Sequence, residues 1–563
     1  MTRPIVVAVL AVLAACGPNA REDGSGDDDG TGTCPVCSAD NTAVVDCDGN
    51  QQPCPLDQLC SAGGCQEACA AADANHSSVG CDYYGVDMDG AEGPPKGGCY
   101  TMFVANTSRE NVHMSVEWSG IQIDLAQFAK IPIGTGQSLA YGAYNPQAGL
   151  EPGQVAILFL SYSPGFMHVA CPVPAATGAA AQIGGTGMGK AFHLTTDLPV
   201  VAYQMLPYGG GAAAATGASL LLPTSSWGDN YVAVSAMDPS GPPPPISVPQ
   251  GPSHNVVAKE DGTMVTIRPK SAITAGAGLP AGAANEPYTF MLNRGEYAQI
   301  TQAAPLSGSP ITATKPVGVF GGHQIMSVDK CCGDHGEQML APVRALGSEY
   351  VAAPHPERRP GVSEMRIYRI YGAVDGTALT YDPPNVGAAT LGLGGMIEIR
   401  TADPFVVRSQ DTSHPFAMFT YMTGSGELGE GGIGDPDFVR LVPPPQYMFH
   451  YVFFTDPTYP FTNLTVVRAK KGGSFYDVDL KCMGNITTWR PVGSGDYEIA
   501  FISMVDHWNG QAGCNNGVQE MSSGGPFGVW VWGWGSEDTS TGWVSYGYPA
   551  GENVLPINDV IIY

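Results

Sequence analysis

Within fifteen positions the chain gathers His323, Cys331, Cys332, Asp334, His335 and Glu337. Imidazole, thiolate and carboxylate are the ligands of zinc and other transition metals. A metal held by His323, His335 and Glu337 would activate water, giving a metal-dependent hydrolase. The competing reading pairs Cys331 and Cys332 as disulfides, with each other or with Cys171, Cys482 or Cys514, and leaves the histidines on a loop. In an oxidising compartment the disulfide is the expected state. Asp82, Asp87 and Asp89 offer oxygens to a structural calcium, yet they lack the regular loop spacing of a calcium site, so carboxylates in turns are expected. Gly184 to Lys190 has the Gly, four residues, Gly-Lys spacing of a phosphate loop. Ala191 stands where a hydroxyl would hold magnesium, and residues 192–195 read as a strand, so this run is expected to be a surface turn. Neither a Gly-x-Ser-x-Gly elbow nor a His-Glu-x-x-His pattern occurs. The chain is therefore read as non-enzymatic, with no cofactor.

These groups sit downstream of an N-terminus with its own chemistry. Arg3, an apolar run over residues 5–13 and Leu13-Ala14-Ala15-Cys16 read as a signal peptide of residues 1–15, too short to span a bilayer. The Leu-Ala-Ala-Cys ending resembles a bacterial lipobox, which implies lipidation of Cys16. Gly17 after it, by resemblance to Gram-negative lipoproteins, favours the outer membrane. Residues 16–33 are acidic and rich in Gly and Ser; they bury too little apolar area to fold and read as a tether. Residues 34–79 hold Cys34, Cys37, Cys47, Cys54, Cys60, Cys65 and Cys69, a disulfide-stapled module. Seven is odd, so one bridge is expected to leave it, to Cys81 or Cys99. Zinc at Cys34-Pro35-Val36-Cys37 is the lesser alternative, since no second pair of matching regularity follows.

The elements that must position all this are strands. Of 563 residues 74 are Gly and 47 Pro, which disfavours long helices, and short β-rich runs at 100–104, 155–160, 264–267, 288–292 and 396–399 are bounded by turn residues. Only 124–130 and 337–346 read as short helices. Two motifs recur. Pro199, Pro316, Pro415 and Pro526 each open a β-rich run, at spacings of 117, 99 and 111; Pro223, Pro342 and Pro443 each precede a Tyr-Val pair by eight positions, at Tyr231, Tyr350 and Tyr451. Residues 80–563 thus divide into four units, about 80–222, 223–341, 342–442 and 443–563. An all-β body follows. A propeller-like closed ring, two blades per unit, is favoured over tandem β-sandwiches because Val554-Leu555-Pro556 repeats Leu221-Leu222-Pro223 at the chain end.

The net charge of −27, with no long basic block, excludes nucleic acid as a partner. Gly80-Cys81-Asp82-Tyr83-Tyr84-Gly85-Val86-Asp87, Thr195 to Gln204, and Lys315 to Gln324 running into Cys331-Cys332-Gly333-Asp334-His335-Gly336-Glu337-Gln338 resemble the IgGFc-binding protein N-terminal domain family. The resemblance covers roughly residues 80–563. It implies a binding rather than a catalytic domain, and it carries over neither immunoglobulin binding nor any catalytic residue. The expected function is a lipid-anchored surface protein whose body binds an extracellular protein or glycan, with Trp530, Trp532 and Trp534 as candidate contacts. A metal-dependent hydrolase or a structural envelope component are the alternatives.

Overall fold

The computed structural model describes residues 34–178, 181–209, 214–236, 251–329, 332–362, 364–386, 389–429, 432–542 and 544–563. The signal peptide, Cys16, the tether and Cys331 lie outside the described residues. The cysteine module is a three-stranded antiparallel sheet (Val36–Cys37, Ala43–Val45, Gln51–Pro53), a hairpin (Gln58–Ser61, Gly64–Glu67) and a helix, Ala68–Asn75. The Glu67 carboxylate caps that helix by accepting from the Cys69 and Ala70 amides. Cys34–Cys47, Cys37–Cys60 and Cys54–Cys65 staple the module, and Cys69–Cys81 ties it to the body. Cys34 and Cys37 belong to different disulfides, which removes the zinc alternative.

Beyond the module one antiparallel pairing scheme recurs four times. Each unit has a long strand: Phe192–Leu206, Pro310–Ser327, the two pieces Val406–Arg408 and Phe416–Met422, and Gly517–Trp534. An opening strand (Val79–Gly85, Gly228–Val232, Glu349–Val351, Met448–Thr455) pairs with its first half. A second strand (Tyr100–Asn106, Pro252–Ala258, Arg366–Gly372, Phe461–Ala469) pairs with its second half. A third (Met114–Trp118, Thr263–Ile267, Thr377–Asp382, Val478–Leu480) returns to the first half. The last strand (Gly217–Leu221, Gly333–Met339, Asp437–Arg440, Ser545–Pro549) borders the second half.

The two repeated sequence motifs are the hardware of this scheme. Pro199, Pro316, Pro415 and Pro526 stand where the long strand passes from its first set of partners to its second. A proline has no N–H to give the ladder, so pairing breaks there and the strand can change layers. The tyrosine of the opening strand latches the bend: Tyr83, Tyr231 and Tyr451 donate to the carbonyls of Val200, Val317 and Phe527, each the residue after the proline. The prolines of the second motif join one unit to the next. A β-carbon on Gly80, Gly228 or Gly347 would lie 2.5 Å from the ring of Pro223, Pro342 or Pro443, so only glycine lets the units close up.

The expected ring of six to eight blades is not what the described strands build. Within the first, second and fourth units both halves belong to one bent sheet sharing the long strand, a half-barrel rather than two separate blades. The four last strands nevertheless touch in cyclic order, first to second, second to third, third to fourth and fourth back to first. The chain end completes the circuit. Val554 donates to His76 (2.7 Å), Leu555 exchanges bonds with the Gln446 side chain, Ile557 donates to Arg344 (2.8 Å), and Ile562 exchanges bonds with Asn230. Residues 550–563 thus contact the entry segment of every unit.

Three element-level expectations change. Residues 337–346 hold the end of a strand, Gly333–Met339, and a 3₁₀ turn, Val343–Ala345, because Glu337 and Met339 are drawn into the ladder with Gly322 and Phe320. The candidate helix at 124–130 is a single turn, Leu125–Phe128, capped by Asp124. Helix Ala68–Asn75 escaped notice among the cysteines. The β-rich runs lie in Tyr100–Asn106, Val155–Ser161, Thr263–Ile267, Tyr288–Leu292 and Met396–Thr401.

Where the four last strands meet, Arg440 forms a buried two-pronged ion pair with Glu552 and donates to the Met339 carbonyl (3.2 Å), while the Glu552 amide donates to Ser78. Burial opposes the Arg440 charge and the Glu552 carboxylate outweighs that, holding its pKa above the ordinary value. Removing one partner leaves a sealed, uncompensated charge. Arg440→Met is expected to lose about 3–5 kcal/mol in chemical denaturation, and Arg440→Met with Glu552→Leu to recover most of it. Equal losses in the single and double variants would show that packing rather than charge sets the cost.

Candidate binding site

The histidine and acid cluster lies inside the body. His323, His335 and Glu337 are 1%, 0% and 0% exposed, on the paired strands Pro310–Ser327 and Gly333–Met339. Alternation along a strand sends neighbours to opposite faces. Glu337 accepts from the Gln204 side chain (2.7 Å), Asp334 accepts from the Ser545 amide (3.0 Å), and the His323 Nδ1 accepts from the Ile325 amide (3.1 Å). Among the described residues no group of three His, Cys, Asp or Glu side chains is arranged to hold a metal ion. Cys332 is disulfide-bonded; Cys171 pairs with Cys99 and Cys482 with Cys514, so neither of those is its partner.

Burial sets the protonation of this interior. It pushes Asp87 and Asp435 up to about 7, and it holds Asp334, Asp437 and Glu337 well above the carboxylate range. Burial drives His335 down to about 4 and, with His335 beside it, His323 down to about 3. The three candidate ligands of the hydrolase reading, His323, His335 and Glu337, are thus closed to solvent.

The candidate calcium acids are likewise partnered. Asp82 accepts from His193 (2.8 Å), Asp87 from Ser161 and Gln182, and Asp89 from the Gly185 amide (2.7 Å), Gln324 (3.0 Å) and Lys96. The Gly185 bond also disposes of the phosphate-loop spacing: that backbone amide serves a carboxylate of its own chain, and strand Gly187–Lys190 follows, pairing with Glu296–Thr301. Asp82, His193 and Arg294 form a surface array beside Tyr84, which stacks on the imidazole at 4.3 Å. Arg294 can only donate, so His193 Nδ1 accepts from it (3.0 Å) and Nε2 carries the hydrogen given to Asp82. Both ring nitrogens are spent and none is left to act as a base.

Trp530, Trp532 and Trp534 are no contact surface. They are 0%, 0% and 3% exposed, on the same side of the long strand Gly517–Trp534 and packed against the third unit, with Trp530 donating to the Arg440 carbonyl and Trp532 edge-on to His355. An aromatic run reads alike whether a strand faces a ligand or a neighbouring unit. A small pocket of about 100 Å³ lies beside His193 and Arg294, and a cleft of about 350 Å³ is open to solvent on the seam between the first and fourth units. Leu139, Tyr141, Val169 and Tyr208 line one wall, and Thr458, Trp508, Thr539, Ser540 and Thr541 the other. Tyr141 and Tyr208 share a hydrogen bond of 3.0 Å at its base. Sequence reading passed over these residues because the walls come from segments 250 or more positions apart, as Tyr208 and Thr458 are.

The buried acids give a prediction. A carboxyl whose pKa is raised on folding adds stability that is complete below about pH 4 and is lost as pH rises through its folded value, here about 7 for Asp87. Asp87→Asn has no proton to lose, so it should soften the decline of stability between pH 4 and pH 8 by up to about 4 kcal/mol. Denaturant titrations at the two pH values read this directly; parallel pH profiles for the two proteins would refute it.

Comparison with known proteins identifies a family. The family model described as IgGFc binding protein matches residues 217–533, more than half of the chain and parts of all the last three units. The human IgGFc-binding protein is 25% identical over 292 residues, an alignment that covers 51% of this chain and 5% of the human protein. The chain belongs to the IgGFc binding protein family.

Proposed function

We propose that the chain is a non-catalytic binding protein of the cell envelope, held to a membrane through a lipid on Cys16 and presenting its four-unit body to an extracellular protein or glycan. The observation that carries the reading is the contrast within the body. His323, Asp334, His335 and Glu337 are sealed from solvent, whereas an uncharged cleft lies open on the seam between the first and fourth units. Family membership supports the same reading, since the human relative is named for binding. That protein's partner is not carried over, because the alignment spans 5% of its length. Eight disulfide-bonded cysteines from Cys34 to Cys81 and the run before Cys16 suit an oxidising compartment outside the cytoplasm. An outer-membrane position is proposed from Gly17.

Two measurements test it. Cys16→Ser should abolish incorporation of labelled fatty acid and release the protein from the membrane fraction; retained label on that variant would defeat the anchor. A soluble form starting at Cys34, which keeps the Cys69–Cys81 bridge, should capture a saturable partner from envelope and extracellular fractions. Recovery of its own copies alone would favour the structural-component reading instead.

A further inference from the structure

The seam cleft has a chemical character that narrows its ligand. The protein carries a net charge of −27, yet none of the residues lining the cleft is charged. Its volume of about 350 Å³ falls within the roughly 300–1,000 Å³ of small-molecule sites. The side chains that line it divide into two kinds. Tyr141 and Trp508 are half-buried aromatics able to offer a ring face, and Ser540 presents an exposed hydroxyl that can donate and accept, while the Thr458 hydroxyl donates to Asp456 (2.6 Å) and those of Thr539 and Thr541 bond one another and Ser536, which holds the loop around Ser540 in place. Such a lining suits a molecule with apolar C–H faces and a rim of uncharged hydroxyls.

The chain also goes to some trouble to place Trp508. Strands Tyr497–Asp506 and Asn509–Gly510 are joined by a two-residue turn at His507-Trp508, with φ of +50° and +58°. Turns of this kind favour Asn-Gly. That pair follows immediately, as Asn509-Gly510, and is not the pair used. Two bulky residues held in the left-handed region are strained, and such strain is kept where the surroundings enforce it. Here they do: Trp508 donates to the Pro460 carbonyl (2.9 Å) through its amide, and Gly136 lies against the indole so closely that a β-carbon there would sit 2.7 Å from Cδ1. His507 bonds Asp506 on its own strand and Asp538 (3.0 Å) beside Thr539, which fixes the turn to the hydroxyl-bearing wall. The opposite wall continues into the loop that carries Phe166, 82% exposed and without a packing role in the core.

We propose that the cleft between the first and fourth units binds a neutral saccharide of one or two rings, stacked on Trp508 and Tyr141 and hydrogen-bonded by the Ser540 hydroxyl. This deepens the binding reading above by naming a ligand class, and it rests on that reading. The test uses the chain from Cys34 with glucose, galactose, mannose, N-acetylglucosamine and their disaccharides as probes, read by calorimetry and tryptophan fluorescence. At least one should bind saturably, glucuronic acid should bind more weakly than glucose, and Trp508→Ala should weaken binding by about tenfold or more while Trp489→Ala leaves it unchanged. Ser540 is an exposed loop residue, so Ser540→Ala keeps the fold and should weaken binding several-fold even where Trp508→Ala does not fold. No saturable binding across the panel, or binding indifferent to both variants, overturns the assignment. A protein captured equally by wild type and Ser540→Ala, with no saccharide bound, would leave the broader binding function standing and remove only this site.

Discussion

Four strands, one from each unit, meet in the interior, and polar groups placed there need partners without water. That requirement organises the body. The Gln338 side chain donates to the carbonyls of Ala218 (3.0 Å) and Gly547 (2.9 Å), joining the first, second and fourth units with one amide. Arg440 reaches the Met339 carbonyl and Glu552, and Trp530 returns to the Arg440 carbonyl. A buried polar atom without a partner costs about 1–3 kcal/mol. A network of this kind therefore fixes which faces may approach one another, where apolar packing alone would tolerate slippage.

The same closure explains why the histidine and acid cluster is sealed from solvent. His335 and Glu337 lie on strand Gly333–Met339, which packs against the last strands of the first and third units, and His323 lies on the neighbouring long strand; all three side chains are buried. Desolvation then discharges the carboxyls and imidazoles alike. Glu337 accepts from Gln204 and Asp334 from the Ser545 amide, so these acids tie strands of different units together. The cleft open to solvent lies elsewhere, on the seam between the first and fourth units.

Much of the architecture was legible in the chain. The two proline motifs register a real mechanical repeat: one proline bends the long strand, and the other seats the next unit on a glycine. Their spacing is steady because the tyrosine latch and the bend must meet, as they do in the first, second and fourth units. Cysteine parity, seven in the module, is met by the bridge from Cys69 to Cys81. The ring of blades was misjudged because a repeat of about one hundred residues fits two small sheets or one bent sheet equally well, and only the shared long strand distinguishes them. The tryptophans were misplaced for a related reason: alternating apolar residues mark a buried face without saying whether ligand or protein covers it.

Sequence by itself determined the all-β class, the repeat and its hinges, the oxidised cysteines and the family, because these rest on local properties: β-propensity, the missing proline N–H, thiol chemistry and motif identity. Tertiary structure alone decided which titratable groups are sealed, which carbonyls Gln338 and Arg440 satisfy, and that Trp508 faces Tyr141 across a seam. Those facts depend on contacts between residues hundreds of positions apart. No local preference encodes them; they follow from closing four units on one another and returning residues 550–563 through all four.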